Sequence, residues 1–241
     1  MIQIKKRDKG IDKDIIAKLS KKHNTTKEII SLLLNRGYKA EDLSKYLQND
    51  EFFIAPFNSI KNVDKAVKTI IEYLEDDKAE IYVYADYDAD GINAGYIMTD
   101  VLTSVKEAID SKCKVNVHFP NRCEGYGLSM AFCKKIAPRK TRKKVLVITV
   151  DNGITKKAEV AYLQSKNVEV IITDHHAPKI GEVPECLVVD PWLNDLESEN
   201  AKGLCGASVA YKVCGQLLKE YGEEDYILNY LPNAAIATKQ I

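Results

Sequence analysis

From residue 80 onward, short runs rich in β-branched residues alternate with segments long enough to form a helix, and this alternation constrains the fold more than any other feature of the chain. The runs are Ile81 to Ala85, Lys114 to His118, Val145 to Val150, Val168 to Thr173 and Leu187 to Val189. Helical patterns lie between them, near 93–110, 128–137 and 155–166. Runs that are apolar at successive positions need cover on both faces, and a helix-length crossover is what a parallel neighbour requires. The expected fold class is α/β, a parallel sheet flanked by helices.

Upstream, the pattern is helical throughout. Asn58 to Leu74 repeats apolar residues at Ile60, Val63, Val67, Ile70, Ile71 and Leu74. Residues 12–48 break into shorter pieces: Ile15, Ile16 and Leu19, then Ile29, Ile30, Leu33 and Leu34 after a Thr25-Thr26 cap, then Leu43 and Leu47. This predicts a small helical N-terminal extension over 1–57 and a main domain over 58–241.

Composition removes several function classes. The 241 residues carry 35 Lys+Arg against 35 Asp+Glu and are 45% apolar, which excludes a disordered tail. The apolar run Val145 to Val150, broken at Thr149, falls far short of the roughly 20 residues of a membrane span, and the start MIQIKKRDKG lacks an apolar signal core. Six cysteines form no Cys-x-x-Cys pair and read as buried free thiols, so a cytoplasmic location is expected. Neutral net charge argues against holding nucleic acid by bulk electrostatics alone. A local groove stays open, because Lys134 to Lys144 is densely basic, although a solvated helix-to-strand loop reads the same way.

The chemistry gathers where ligands of such sheets bind, beyond the carboxyl ends of the strands. The first strand empties into Asp86-Tyr87-Asp88-Ala89-Asp90-Gly91, three carboxylates at alternate positions before a glycine that permits a sharp turn. So much charge in one turn repels itself unless a cation neutralises it. A helix-hand calcium loop needs a Glu about six residues past the glycine and helices on both sides, whereas here one flank is a strand. Helix capping and Asx turns explain one Asp but not three. The third strand ends in Asp151-Asn152-Gly153-Ile154, and the fourth in Asp174-His175-His176. One such Asp is commonly a helix cap. Convergence of three strand ends on carboxylates and neighbouring imidazoles instead indicates a site for Mn²⁺, Mg²⁺, Fe²⁺ or Zn²⁺. A shared Asp between two ions would give a two-metal hydrolytic centre.

These pieces resemble the DHH phosphoesterase superfamily and, within it, the RecJ-type single-strand exonucleases. Tyr84 to Gly91 resembles the first motif, Asp151 to Ile154 the second, and Asp174-His175-His176 the third. Asn121 to Leu128, Val188 to Pro191 and Lys202 to Lys212 are similar to RecJ-type stretches. The resemblance spans about residue 45 to the end. It implies metal ligation by Asp88, Asp90, Asp151 and His175, with two Mn²⁺ or Mg²⁺ ions. Asp86 is an additional acid of that pattern, and His176 orients or protonates the phosphate ester. Arg122 is a phosphate clamp or a loop staple. Gly125 and Tyr126 offer a turn and a stacking ring, or a loop anchor. Gly206 opens a glycine-rich turn whose helix amides face a phosphate or merely pack.

Two departures accompany the resemblance. Tyr84 stands where some family members have a His. The family's fourth motif, an Asp after an apolar strand, finds no counterpart, since Ala234-Ala235-Ile236-Ala237-Thr238 runs on into Lys239-Gln240-Ile241. With the second, substrate-binding domain of the family also missing, the expectation is a catalytic half that is truncated or served by a partner chain. The implied activity is metal-dependent hydrolysis of single-stranded DNA from its 5′ end, in DNA repair and recombination, weak in this chain alone. The alternatives are a non-catalytic scaffold for nucleic acid or protein, or a phosphodiesterase for oligonucleotides or cyclic dinucleotides.

Overall fold

The computed structural model describes residues 10–47, 55–137, 143–179, 181–194 and 203–238. The chain divides into two compact units, Met1–Ala55 and Pro56–Ile241. The first contains α1 (Lys13–Lys22), α2 (Lys27–Asn35) and α3 (Leu43–Leu47). Asp12 and Thr26 cap the first two through their side chains, and Leu19, Ile30 and Leu43 form their common apolar centre.

The second unit opens with a 3₁₀ turn at Phe57–Ser59 and α4 (Val63–Leu74). The helix expected from Asn58 starts later because Ile60 is extended and Asn62 turns left-handed, with φ 71°. Its side chain donates to Val188 O at 2.8 Å. The sheet follows: β1 (Glu80–Tyr84), α5 (Ala89–Ala108), β2 (Lys114–His118), α6 (Met130–Ile136), β3 (Val145–Val150), α7 (Lys157–Gln164), β4 (Val168–Thr173) and β5 (Leu187–Val189). The order is β2-β1-β3-β4-β5, every pair parallel. Two helices close the described chain, α8 (Gly206–Glu220) and α9 (Leu231–Thr238). The apolar stretch Ala234 to Thr238, compared above with a strand, is therefore helical, while residues 239–241 lie outside the described residues.

Alternation along the strands explains the layering. Ile81, Val83, Ala85, Leu146, Ile148, Val150, Ile171 and Val189 pack with α4, α5 and α8. Tyr84, Val145, Val147, Val168, Val170, Ile172 and Val188 pack on the other face with α6 and α7. The central strand β3 is buried on both sides and β4 nearly so, which is why their sequences read as continuous apolar runs, whereas the edge strand β2 alternates and stays partly exposed. The order reverses between β1 and β3, the switch point where adjacent crossovers leave on opposite faces and open a crevice.

The cysteines are free, with Cys113, Cys133, Cys205 and Cys214 buried, Cys186 half-buried and Cys123 exposed. No helix among the described residues is long and apolar enough to cross a membrane. Of the basic cluster, residues 138–142 lie outside the described residues. Lys143 and Lys144 pair with Glu80 at 2.6 Å and Asp76 at 3.5 Å, at the amino ends of the strands and away from the crevice.

Candidate metal centre

Four strand ends deliver carboxylates to the crevice. After β1 the buried Asp86 accepts the Tyr87 N–H at 2.8 Å, and Asp88 becomes the N-cap of α5 by accepting from Gly91 at 2.9 Å. Gly91 is obligatory there, since a Cβ would stand 2.5 Å from Asp86 Cβ. After β3 the chain turns left-handed at Asp151, with φ 62°. Asn152 explains how that strained turn is held. Its side chain donates to Val150 O at 2.9 Å and Tyr84 O at 3.2 Å and accepts from Leu128 N at 3.1 Å, tying three segments together.

Asp174, after β4, is buried and fully engaged. Its Oδ2 accepts from Ile154 N at 2.9 Å, and its Oδ1 accepts from His175 N at 2.7 Å and pairs with His176 Nδ1 at 2.7 Å. Asp190, after β5, accepts from Trp192 N at 2.8 Å and keeps a buried Oδ2 with no partner among the described residues. Trp192 in turn donates its indole N–H to His175 O at 2.9 Å. Sequence reasoning quoted Asp174, Asp190 and Asn152 within motifs but gave them no role. The same rule that singled out Asp151, an acid directly after a strand, would have found both acids.

One ligand atom each from Asp86, Asp88 and Asp151 lie within 4.8 Å of one another, and so do one each from Asp151, His175 and His176. Asp151 is common to both groups. His175 Nε2 stands 3.1 Å from Asp151 Oδ1 and 3.5 Å from Asp90 Oδ2. That buried Oδ1 has no well-aligned hydrogen-bond donor among the described residues, with His175 Nε2 beside it. A desolvated carboxylate oxygen without a donor costs free energy that a divalent cation would offset. The donor set of carboxylates and imidazole therefore fits such an ion.

Asp90 and Gly206 behave differently from the resemblance. Asp90 accepts from Gly206 N at 2.8 Å and from Ala207 N at 2.7 Å, so it seats the N-terminus of α8 and belongs to neither ligand group. Gly206 is buried with its N–H on Asp90, and a Cβ there would strike the Asp151 carboxylate.

Electrostatics registers the crowding. Burial pushes Asp151 up to about 7, aided by the charges of Asp90 and Asp88 and opposed by His175. Burial also raises Asp86, with Asp88 and Asp174 adding to it, and pushes Asp190 up to about 7. The hydrogen bond that His176 donates to Asp174 lifts the imidazole to about 9. At His175 burial acts downward, but pairing with Asp151 outweighs it and the net shift is upward. Among the described residues the acids thus have no cationic partner other than imidazole.

A loop borders this cluster. Asn121 caps a single 3₁₀ turn, Arg122–Glu124, and Glu124 answers by accepting from Asn121 N at 3.0 Å and pairing with His118 at 3.1 Å. Gly125, with φ 85°, then turns the chain so that the Tyr126 hydroxyl comes within 3.2 Å of His176 Nε2. Arg122 is exposed, its guanidinium 6.0 Å from the Tyr87 ring centre. Tyr84 is buried and donates to Gly127 O at 3.1 Å, so it braces this loop from below.

A doubly wound parallel sheet with an acid- and imidazole-lined switch point defines an α/β protein equipped to bind divalent metal. The chain belongs to the DHH family: the family's N-terminal domain matches residues 80–238. It is 31% identical over 216 residues to the single-stranded-DNA-specific exonuclease RecJ of Bacillus subtilis, covering 88% of this chain and 26% of that protein. With RecJ of Thermus thermophilus it shares 35% over 182 residues, 74% of this chain and 25% of that protein. Among solved structures, exonuclease RecJ bound to manganese matches with a TM-score of 0.64 at 32% identity, over 76% of this chain and 44% of that one. RecJ from Thermus thermophilus in complex with Mn²⁺ matches with a TM-score of 0.71 at 26% identity, over 95% of this chain and 30% of that one. The chain thus spans about a quarter of the length of these two curated relatives.

Proposed function

We propose that this chain is the metal-binding, hydrolytic part of an exonuclease that releases nucleotides from the 5′ end of single-stranded DNA, with two Mn²⁺ or Mg²⁺ ions as cofactor. Residues 58–241 are its phosphoesterase domain and 1–57 a helical extension. The observation that carries the reading is Asp151, shared between two ligand groups, with a buried oxygen whose polar neighbour among the described residues is the imidazole of His175 at 3.1 Å. The names of the relatives supply the substrate, and the resemblance supplies the polarity.

In this reading Asp86, Asp88, Asp151 and His175 would hold the ions, Asp151 being the residue common to both ligand groups. Asp90 fixes that geometry from behind by anchoring α8 and standing 3.5 Å from His175. Divalent ions bound there supply Lewis-acid stabilisation of phosphoryl charge and activation of the attacking water. His176 falls within ligand range, but its Nδ1 is taken up by Asp174. Its Nε2, 3.2 Å from the Tyr126 hydroxyl, is the atom that would turn from that contact to the phosphate ester and donate a proton or a hydrogen bond to it. Asp174 holds the ring at that angle, and Tyr126 limits its rotation from the solvent side. Arg122, on the adjoining loop, approaches a phosphate with its forked donors.

Calorimetric titration of the chain with Mn²⁺ is expected to give a stoichiometry near two, and time-resolved assays slow Mn²⁺-dependent release of nucleotides from 5′-phosphorylated single strands. A chain that takes up no Mn²⁺ would remove the metal assignment. One that binds Mn²⁺ and degrades only cyclic dinucleotides would replace the substrate.

A further inference from the structure

We infer that the groove formed by α5, the end of β2 and α9 holds an unpaired nucleobase of a strand whose phosphate lies at the metal cluster. The inference rests on the hydrolytic reading of that cluster and adds a base-binding subsite to it.

The sequence creates the groove by failing to cover one stripe. Positions 92, 96, 99 and 103 of α5 follow one another at spacings of four, three and four, so they share a face of the helix. On β2, the edge strand of the sheet, Val115 packs into the core. Val117 and Phe119, two and four residues on, remain 41% and 43% exposed, and beside them Ile92 and Tyr96 are 49% and 48% exposed. Gly95 shapes the space, since a Cβ there would stand 2.7 Å from Phe119 Cε1. Without it the ring lies down along the helix. The resulting groove has a volume of about 390 Å³. That is within the range of small-ligand pockets.

Its lining selects a flat, neutral, hydrogen-bonding occupant. Phe119 and Tyr96 offer ring faces, on which any base stacks. Asn93 and Asn233, joined at 2.8 Å, add amides at the rim. Thr99 Oγ1 is a buried atom with no partner among the described residues. No Lys or Arg is among the lining residues, and Asp100, whose carboxylate accepts the Tyr230 hydroxyl at 2.7 Å, repels phosphate. The base, not the backbone, is the part of a single strand that this chemistry accepts. Position agrees with it: Ile92 and Tyr96 lie one and two helical turns beyond the cap Asp88, roughly 6 and 12 Å along the axis. Phe119 also precedes Arg122 by three residues, so one strand crossing the start of α5 meets groove, loop and cluster together.

The test uses short single strands carrying 2-aminopurine at successive positions from the 5′ end, bound to the full chain without added metal. One position is expected to lose fluorescence on binding and to regain it with Phe119→Ala, which should weaken affinity about 5- to 150-fold. Phe119→Trp should restore both, and melting curves should show all three proteins folded. Unquenched 2-aminopurine at every position, or equal affinity of Phe119→Ala, would overturn the inference. So would sedimentation showing a dimer that Phe119→Ala dissociates, because the groove would then be an interface between copies. Quenching with no Mn²⁺-dependent nucleotide release would leave the subsite standing and count against the hydrolytic reading alone.

Discussion

The two rims of the one sheet both carry carboxylates and treat them in opposite ways. At the amino ends of the strands, Glu80 meets Lys143 at 2.6 Å and Asp76 meets Lys144 at 3.5 Å. Both carboxyls are held below their ordinary range, Glu80 by the Lys143 hydrogen bond first and Asp76 by the Lys78 backbone N–H first. At the carboxyl ends, Asp86, Asp151 and Asp190 are all raised, burial being the leading cause at each. No lysine or arginine pairs with them among the described residues. One rim is a solvated surface at rest. The other is held together by covalent connection and backbone amides against its own repulsion, a condition found where a protein is arranged for a ligand it must bind.

The strongest way to break this contrast is to remove the residue at its centre. Asp151→Ala is expected to abolish Mn²⁺ uptake in calorimetry and to take nucleotide release below detection, since both ligand groups lose a member. Undiminished Mn²⁺ binding by that variant would show that the acids at this rim do not act as a unit.

A sharper division lies within the rim itself. His176→Gln keeps an acceptor and a donor at similar reach but cannot carry the proton, so turnover should fall roughly 10²-fold or more while Mn²⁺ binding persists. The paired assays, titration and nucleotide release, separate a ligand from a group that serves the phosphate. If Mn²⁺ affinity falls in parallel with rate, His176 is a ligand and its bond to Asp174 must open on metal binding.

How far the sequence foreshadows this arrangement depends on the range of the interaction. β1, β3, β4 and β5 were legible because their apolar residues are largely buried, and the edge strand β2 because it alternates; β2 to β5 begin and end at the expected residues. The strand-end acids were legible because topology alone brings them together. The capture of Asp90 by Gly206 and Ala207 was not, for it joins residues 116 and 117 positions apart and leaves no local periodicity. The same holds for Asn152, whose contacts reach Tyr84 and Leu128. At the end of the described chain, Ala234 to Thr238 carries small residues of high helix propensity, and that propensity outweighs a superficial likeness to a strand.

The two rims should also respond oppositely to pH in the metal-free chain. An unfolded Asp loses its proton near 4, whereas folded Asp151 keeps its proton up to about 7. Unfolded His loses its proton near 6.5, and folded His176 near 9. In both windows the folded chain binds more protons, so stability falls as pH rises from about 4 to about 9. The paired acids of the opposite rim work the other way: their folded values are depressed, and their contribution is lost only as pH falls below about 4. Melting of the second unit should therefore occur at a temperature at least about 5 °C higher at pH 5.5 than at pH 8. Added Mn²⁺ should remove most of that difference, since the ion takes the place of the protons. A metal-free melting temperature that climbs from pH 5.5 to pH 8 would show that the acids of the crevice are not crowded.

The smallest effect belongs to the resting rim. Lys143 is about half exposed, with a side-chain exposure of 45%, and Glu80 has 16%. Their attraction is screened by water and offset by the entropy of holding two long side chains, so Lys143→Ala should cost no more than about 1 kcal/mol. Because Lys143 lies at the amino end of β3 and the cluster beyond its carboxyl end, a six-residue strand separates them. At about 3.3 Å per residue that strand spans roughly 20 Å, about two and a half Debye lengths at physiological salt. Mn²⁺ affinity and nucleotide release should stay unchanged in Lys143→Ala, with denaturant midpoints and titrations measured on the same preparation. A several-fold loss of release with intact folding would mean that substrate also touches the amino rim, and the contrast between the two ends of the sheet would no longer separate resting charge from working charge.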